Sequence, residues 1–200
     1  MQVSQLIFIL ANFITASTLA AIIWLYIDAL LLKIEIKAIL RATGFILLTV
    51  SFALNLVSSF STINEPQFTF WMHSLGLWLI FASFIIDSHS KLRFITVIAI
   101  ASLLLFKSHQ LLAVQTLLIS INVFEIAYNT QHRDLIPFGA GFLLMTTAEF
   151  FYYLDEVKGF QNISVAGDFL YIFASIALSI WLWSYLAIRF NLAQKFPRMI

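Results

Sequence analysis

Apolar residues in this chain form seven long runs separated by short polar segments, without the strict alternation of a half-buried strand. The runs cover residues 6–32, 38–60, 70–86, 92–106, 111–128, 135–154 and 169–190. A helix crosses the hydrocarbon core of a bilayer with about 20 residues, and most of the runs reach that length. The fourth is shorter, about 22 Å at helical rise, so flanking Arg93 and Lys107 are expected to extend their charged ends to the headgroups. The pattern predicts an all-α, polytopic membrane protein built as a seven-helix bundle.

Composition supports this class. The chain is 62% hydrophobic and 10% charged, a balance that excludes an ordinary soluble domain of this length. It contains no cysteine, which excludes disulfides and thiolate metal sites. We expect one transmembrane domain over residues 1–190 and a short, basic cytoplasmic tail over residues 191–200.

Basic residues divide unequally between the two sides that seven crossings define. One side collects nine of them: Lys33, Lys37, Arg41, Lys91, Arg93, Arg133, Arg189, Lys195 and Arg198. The other side has two, Lys107 and Lys158. Loops rich in Lys and Arg stay in the cytoplasm, so the N-terminus is predicted outside and the C-terminus inside, in a plasma or inner membrane. No separate basic arm is present, which argues against nucleic-acid binding.

A repeated phrase suggests how the helices pack. Residues 44–52, 76–84 and 141–149 each begin with Gly and carry Ser or Ala at the seventh position after it. Small residues two turns apart on one face are typical of close contacts between membrane helices. The order of the matches suggests two three-helix copies joined by the fourth run, a 3+1+3 internal repeat. Chance recurrence of small residues in apolar sequence is the alternative.

The phrases at residues 41–52 and 141–150 resemble those in the seven-helix input domains of prokaryotic sensor histidine kinases. The resemblance implies a receptor-like helical bundle that passes a stimulus inward. Only ten residues follow Phe190 in this sequence, so we expect a separate protein to act on the signal.

Acidic residues inside apolar runs are the strongest functional lead, because an ionisable group in a span usually faces the bundle or a wet cavity. Glu125 lies near the inner end of the fifth run, where contact with headgroups or pairing with Arg133 is the favoured interpretation. Glu149 lies near the outer end of the sixth run. Polar and aromatic residues at the depth of Glu149 are Asn55, His73, Trp78, Tyr152 and Tyr171. These six residues predict an outward-facing ligand pocket. The alternative is a half-exposed Glu149 in contact with water from the loop that carries Asp155 and Glu156.

Several chemistries lack their residues. The seventh run has no Lys to bind retinal, and the sequence has neither a His-Glu-x-x-His phrase nor a Gly-x-Ser-x-Gly turn. Histidines 73, 89, 109 and 132 fall at span boundaries or in turns, where water or headgroup contacts are expected in preference to haem. We therefore expect no cofactor, no metal and no intrinsic catalysis.

The favoured function is a receptor- or sensor-like module that binds an unknown small ligand. It would contact the lipid bilayer and signal through a protein partner in the membrane or at its cytoplasmic face. A small-solute transporter with a 3+1+3 repeat and a structural subunit of a membrane complex are the alternatives.

Overall fold

The computed structural model describes residues 3–32, 34–60, 66–87, 109–159 and 163–190. Within these ranges the chain forms six long α-helices and a 3-10 turn at Arg133–Leu135. The helices are α1 (Val3–Leu32), α2 (Ile36–Ser58), α3 (Pro66–Asp87), α4 (His109–Thr130), α5 (Ile136–Lys158) and α6 (Ile163–Arg189). Each is long and apolar enough to cross a membrane, which confirms the predicted all-α, multi-pass membrane protein. The predicted span at residues 92–106 and the tail at residues 191–200 lie outside the described residues.

The six helices form a closed ring. Each helix packs against its neighbours in chain order, and α6 packs back against α1. One end of the ring carries a cavity that is lined by the N-terminal parts of α1, α3, α4 and α6 and by the C-terminal parts of α2 and α5. We call this the cavity end. Helices α3 and α4 therefore run parallel, although they follow one another in the described part of the chain.

Helices α2 and α3 approach closely at a pair of glycines. A Cβ atom at Gly44 would lie 2.7 Å from the carbonyl oxygen of Gly76, and one at Gly76 would lie 2.8 Å from that of Gly44. On α5, a Cβ at Gly141 would lie 2.8 Å from Leu178 Cγ on α6. The small-residue contacts predicted from the repeated phrase are thus confirmed at all three glycines.

The end of the ring opposite the cavity is filled by aromatic side chains. Phe138 on α5 lies at the centre, with ring centroids 6.2 Å from Phe45, 6.0 Å from Phe84, 5.2 Å from Phe142 and 4.6 Å from Trp181. All five side chains are buried. We call them the aromatic plug, because they close the interior between α2, α3, α5 and α6.

Charged residues mark the plug end as well. Arg189 on α6 forms an ion pair with Asp28 on α1, at 2.5 Å between Nη2 and Oδ2. Arg41 lies over the ring of Phe84, 4.4 Å from its centroid, and its Nε donates to Ser83 Oγ at 3.0 Å. Within the described part of the chain, Lys37 and Arg133 also lie at helix starts on this end.

The predicted boundary between the last two spans is wrong. Helix α5 continues beyond the predicted end at residue 154, and α6 begins six residues before the predicted start at residue 169. Asp168 precedes the predicted start of the seventh run, yet it lies within the first turns of α6 and is buried. A helix can carry this carboxylate inward because a tyrosine hydroxyl on the neighbouring helix donates to it.

Candidate ligand-binding site

The cavity has a volume of about 250 Å³ and receives side chains from all six described helices. Five of the six predicted site residues line it: Asn55, His73, Glu149, Tyr152 and Tyr171. The lining also includes Phe52 and the unpredicted pair His109 and Asp168. The geometry around the carboxylates decides what the cavity can bind.

Glu149 is fully enclosed and bonded through both of its carboxylate oxygens. Its exposed fraction is 2%, which contradicts the alternative of a half-exposed, water-contacting glutamate. His109 Nδ1 lies 2.5 Å from Glu149 Oε2, and the hydroxyl of Tyr171 donates to Oε1. A buried carboxylate is tolerated when it is paired and hydrogen-bonded in this way. The assignment of His109 to a turn is wrong, because His109 begins α4, and its Nδ1 is bonded to Glu149.

Asp168 occupies the matching position on α6. Its exposed fraction is 3%, and the hydroxyl of Tyr152 on α5 donates to Oδ1. Among the described residues, no hydrogen bond is made to the second oxygen, Oδ2. The cavity therefore contains one carboxylate with both oxygens bonded and one with an oxygen left to accept a further donor.

The two carboxylates and two tyrosines form a reciprocal arrangement. Glu149 and Tyr152 are three residues apart on α5, and Asp168 and Tyr171 are three residues apart on α6, so each pair shares a helix face. Each acid then accepts from the tyrosine of the other helix. We call these four residues the acid–tyrosine clasp.

A continuous row of aromatic rings passes through the two tyrosines of the clasp and extends beyond them on both sides. In order, the rings belong to His73, Phe52, Tyr171, Tyr152 and His109, with successive centroid distances of 5.1, 5.2, 6.1 and 5.2 Å. They come from α3, α2, α6, α5 and α4. We call this row the aromatic wall. An occupant of the cavity would meet aromatic surface contributed by five of the six described helices.

A serine lies beside His73 but is not placed for nucleophilic attack. Ser51 Oγ is 3.4 Å from His73 Nδ1 and donates to the carbonyl oxygen of Leu48 at 2.8 Å. Ser51 is fully buried and does not line the cavity. Its hydroxyl fits the expected structural role, a bond to the backbone of its own helix.

Trp78 is the predicted site residue that the structure does not bring to the cavity. It packs on Phe81, with centroids 6.1 Å apart, in a separate small cleft with Gln115 and Leu118. Five residues of helix rotate a side chain by about 140° around the axis, which turns Trp78 away from the face that carries His73. Depth in the membrane alone could not make that distinction.

His109 and Asp168 were missed because both were assigned to loops. For Asp168 a sequence signal was available, since Asp168-Phe-Leu-Tyr171 repeats the spacing of Glu149-Phe-Phe-Tyr152. For His109 the signal was weaker, because it stands at the first position of α4.

Metal binding and known relatives give no further lead. Within the described ranges, no three His, Asp or Glu side chains form a group that could hold a metal ion. No family model, no curated protein and no solved structure matches this chain, so its function has to be argued from the cavity itself.

Proposed function

We propose that this chain is a receptor-like membrane module that binds a small solute in the cavity and passes occupancy through its helices to a partner protein at the plug end. The observation that supports it most is that the same helices carry the aromatic wall and the aromatic plug. Helix α2 contributes Phe52 and Phe45, and helix α6 contributes Tyr171 and Trp181. A rotation or tilt of either helix that accommodates a solute therefore also shifts a ring of the plug.

The plug argues for a receptor over an open pore. Phe45, Phe138 and Phe142 are at most 1% exposed and lie between the cavity and the opposite end. Close-packed rings respond to strain by changing between discrete packings, which allows a local shift at one end to reach the other.

We infer that the plug end faces the cytoplasm and the cavity faces outward. Lys37, Arg41, Arg133 and Arg189 are all at the plug end, and positive charge is retained on the cytoplasmic side. This orientation gives an external N-terminus and a cytoplasmic C-terminus.

We also propose a seventh crossing at residues 92–106 and a 3+1+3 plan. The parallel directions of α3 and α4 support it, because the intervening chain must connect opposite ends of the bundle. Helices α1 to α3 and α4 to α6 repeat the same sequence of directions, which is the arrangement that two parallel copies require. Gly44 and Gly141, which correspond in the proposed copies, both lie at close helix contacts.

The coupling can be tested with a covalent occupant. The chain contains no cysteine, so Asn55→Cys supplies a single thiol at the cavity lining. We expect its modification in nanodiscs by a trimethylammonium-ethyl methanethiosulfonate to alter tryptophan emission, because Trp181 lies in the plug 4.6 Å from Phe138.

Two controls isolate the plug. Phe60→Cys, at an exposed position just beyond α2 on the same end, should react without the emission change. The change should also be lost when Asn55→Cys is combined with Trp181→Phe. An identical change in the Trp181→Phe background, or none at all at Asn55→Cys, would contradict coupling between cavity and plug.

A small-solute carrier is the second candidate, favoured by a cavity that is closed at only one end. In that case the plug would be the closed gate of an outward-facing state. Purified protein in proteoliposomes distinguishes the two candidates. Exchange of a labelled solute that is abolished by Glu149→Gln would establish the carrier and replace the receptor proposal.

A further inference from the structure

We infer that the solute class for this cavity is a small organic cation, a protonated amine or a quaternary ammonium. The inference rests on the proposed function, because it identifies what the same cavity would bind. Its basis is the balance of hydrogen-bond donors, acceptors and charges around the acid–tyrosine clasp.

Three donors that line the cavity are committed to its carboxylates. The hydroxyl of Tyr171 and Nδ1 of His109 are bonded to Glu149, and the hydroxyl of Tyr152 is bonded to Asp168. An anionic solute that took one of these three donors would leave a buried carboxylate without its partner. A cationic solute meets an acceptor that is still available, Asp168 Oδ2.

The charge balance points the same way. Two carboxylates line the cavity, and no Lys or Arg from the described residues does. If His109 carries a proton on each ring nitrogen it neutralises Glu149, and Asp168 still leaves one negative charge. If His109 is neutral, both carboxylates are uncompensated. His73 is the other histidine that lines the cavity, and it bonds to Ser51 instead of to an acid.

The positive ends of the helix dipoles offset the negative charge of the cavity only in part. The N-terminal ends of α1, α3, α4 and α6 point towards the cavity end, and each carries a fractional positive charge that favours anions. The fixed carboxylates of Glu149 and Asp168 line the cavity at the same end and share in that favourable interaction. Helix-end charge is also screened at the membrane surface, whereas Glu149 and Asp168 are buried.

The aromatic wall supplies the second element of cation recognition. Phe52, Tyr152 and Tyr171 line the same cavity as Asp168. A cation over the face of an aromatic ring is attracted by the ring quadrupole, and aromatic cages bind quaternary ammonium groups in proteins. The volume of about 250 Å³ lies just below the range of about 300–1,000 Å³ that is typical of ligand pockets, which suits a small ion.

The test compares two thiol reagents of opposite charge on Asn55→Cys in membranes. The trimethylammonium-ethyl and sulfonato-ethyl methanethiosulfonates are similar in size, and Phe60→Cys corrects for their intrinsic reactivities. We expect the cation-to-anion rate ratio at Asn55→Cys to exceed that at Phe60→Cys by about tenfold or more, since a buried charge acts across a poorly screened cavity. Asp168→Asn should remove most of this excess.

A second measurement uses the unaltered chain and does not depend on the folding of a variant. Choline and its neutral isostere 3,3-dimethylbutan-1-ol differ in charge but hardly in shape. We expect millimolar choline to raise the unfolding midpoint of the protein in nanodiscs, because a ligand that binds the folded state stabilises it. The neutral alcohol should not.

The outcomes separate this inference from the function on which it rests. If neither reagent labels Asn55→Cys, the cavity is closed to solute and both proposals fail. If both reagents label it with the ratio found at Phe60→Cys, and choline and the alcohol act alike, the cationic class is wrong while the solute-binding cavity stands.

Discussion

At the scale of single residues, the acid–tyrosine clasp shows how this chain keeps two carboxylates inside an apolar bundle. Burying a charge without partners is costly, and breaking a buried pair by removing one member leaves that cost uncompensated. Glu149 and Asp168 avoid the cost through hydroxyl donors from the opposite helix. The clasp therefore binds α5 to α6 as well as shaping the cavity.

Removing one hydroxyl should measure the contribution of the clasp. Tyr171→Phe deletes the donor to Glu149 Oε1 and leaves the ring in the aromatic wall. Hydrogen bonds to charged groups contribute about 1.5–3 kcal/mol, so we expect a loss of that size in the free energy of unfolding in mixed micelles.

Tyr153→Phe is the matched control. Tyr153 lies on α5, its ring packs near Phe150, and no hydrogen bond of its hydroxyl is present among the described residues. Its change should stay within about 0.5 kcal/mol. Equal losses for the two substitutions would show that the Tyr171 hydroxyl adds nothing to stability.

The sequence predicted most of the polar and aromatic residues that line the cavity, but it did not predict the charge balance of the cavity. Matching residues by depth in the membrane identified Glu149, Tyr152, Tyr171, His73 and Asn55, all of which line the cavity. Depth matching could not separate helix faces, so Trp78 was included wrongly. It also treated polar residues near a span end as loop, which hid Asp168 and His109 from the prediction.

At the scale of helices, hydrophobic runs predicted the existence of every described helix, while the ends were less predictable. Helix α5 extends through Asp155 and Glu156, because the residue that ends the helix is Gly159. The backbone φ of 59° at Gly159 provides a left-handed cap. The contacts between helices were easier to predict, since the repeated glycine phrases mark where two backbones come close.

The contact between α2 and α3 can be tested by adding one methyl group. Gly44→Ala would place Cβ 2.7 Å from the backbone oxygen of Gly76, which can move only if the helices separate. Overpacking of this kind costs about 1–3 kcal/mol, more than the up to about 1 kcal/mol that alanine gains in helix propensity. We expect a lower unfolding midpoint in detergent micelles.

Gly139→Ala provides the comparison, since it brings the same gain in propensity. Its added Cβ would lie 2.9 Å from ring atoms of Phe124, the far end of a side chain that can turn aside. This variant should be at least about 1 kcal/mol more stable than Gly44→Ala. A Gly44→Ala protein as stable as Gly139→Ala would show that α2 and α3 tolerate separation.

At the scale of the whole molecule, the bundle is polar along its axis. The cavity end holds the buried acids Glu149 and Asp168, and the plug end holds arginines, with Arg189 paired to Asp28 across α6 and α1. In the proposed function, the solute and the partner protein would occupy separate ends of this ring. The sequence predicted the orientation from charge, but ring closure between α6 and α1 depends on contacts between distant parts of the chain that no local pattern encodes.

Because α3 and α4 run parallel, their first residues should be accessible from the same side of the membrane. Gln67 lies near the start of α3 and Gln110 near the start of α4, both exposed at the cavity end, whereas Tyr128 is 86% exposed near the end of α4. In a cysteine-free chain each position can carry the only thiol. We expect a membrane-impermeant maleimide to label Gln67→Cys and Gln110→Cys on intact cells, and Tyr128→Cys only after permeabilisation.

Because α3 crosses the membrane once, labelling of both glutamine positions from outside requires residues 88–108 to cross it again. Labelling of Gln67→Cys and Gln110→Cys from opposite sides would contradict the parallel arrangement. If all three positions react in the reverse pattern, the arrangement stands but the cavity faces the cytoplasm.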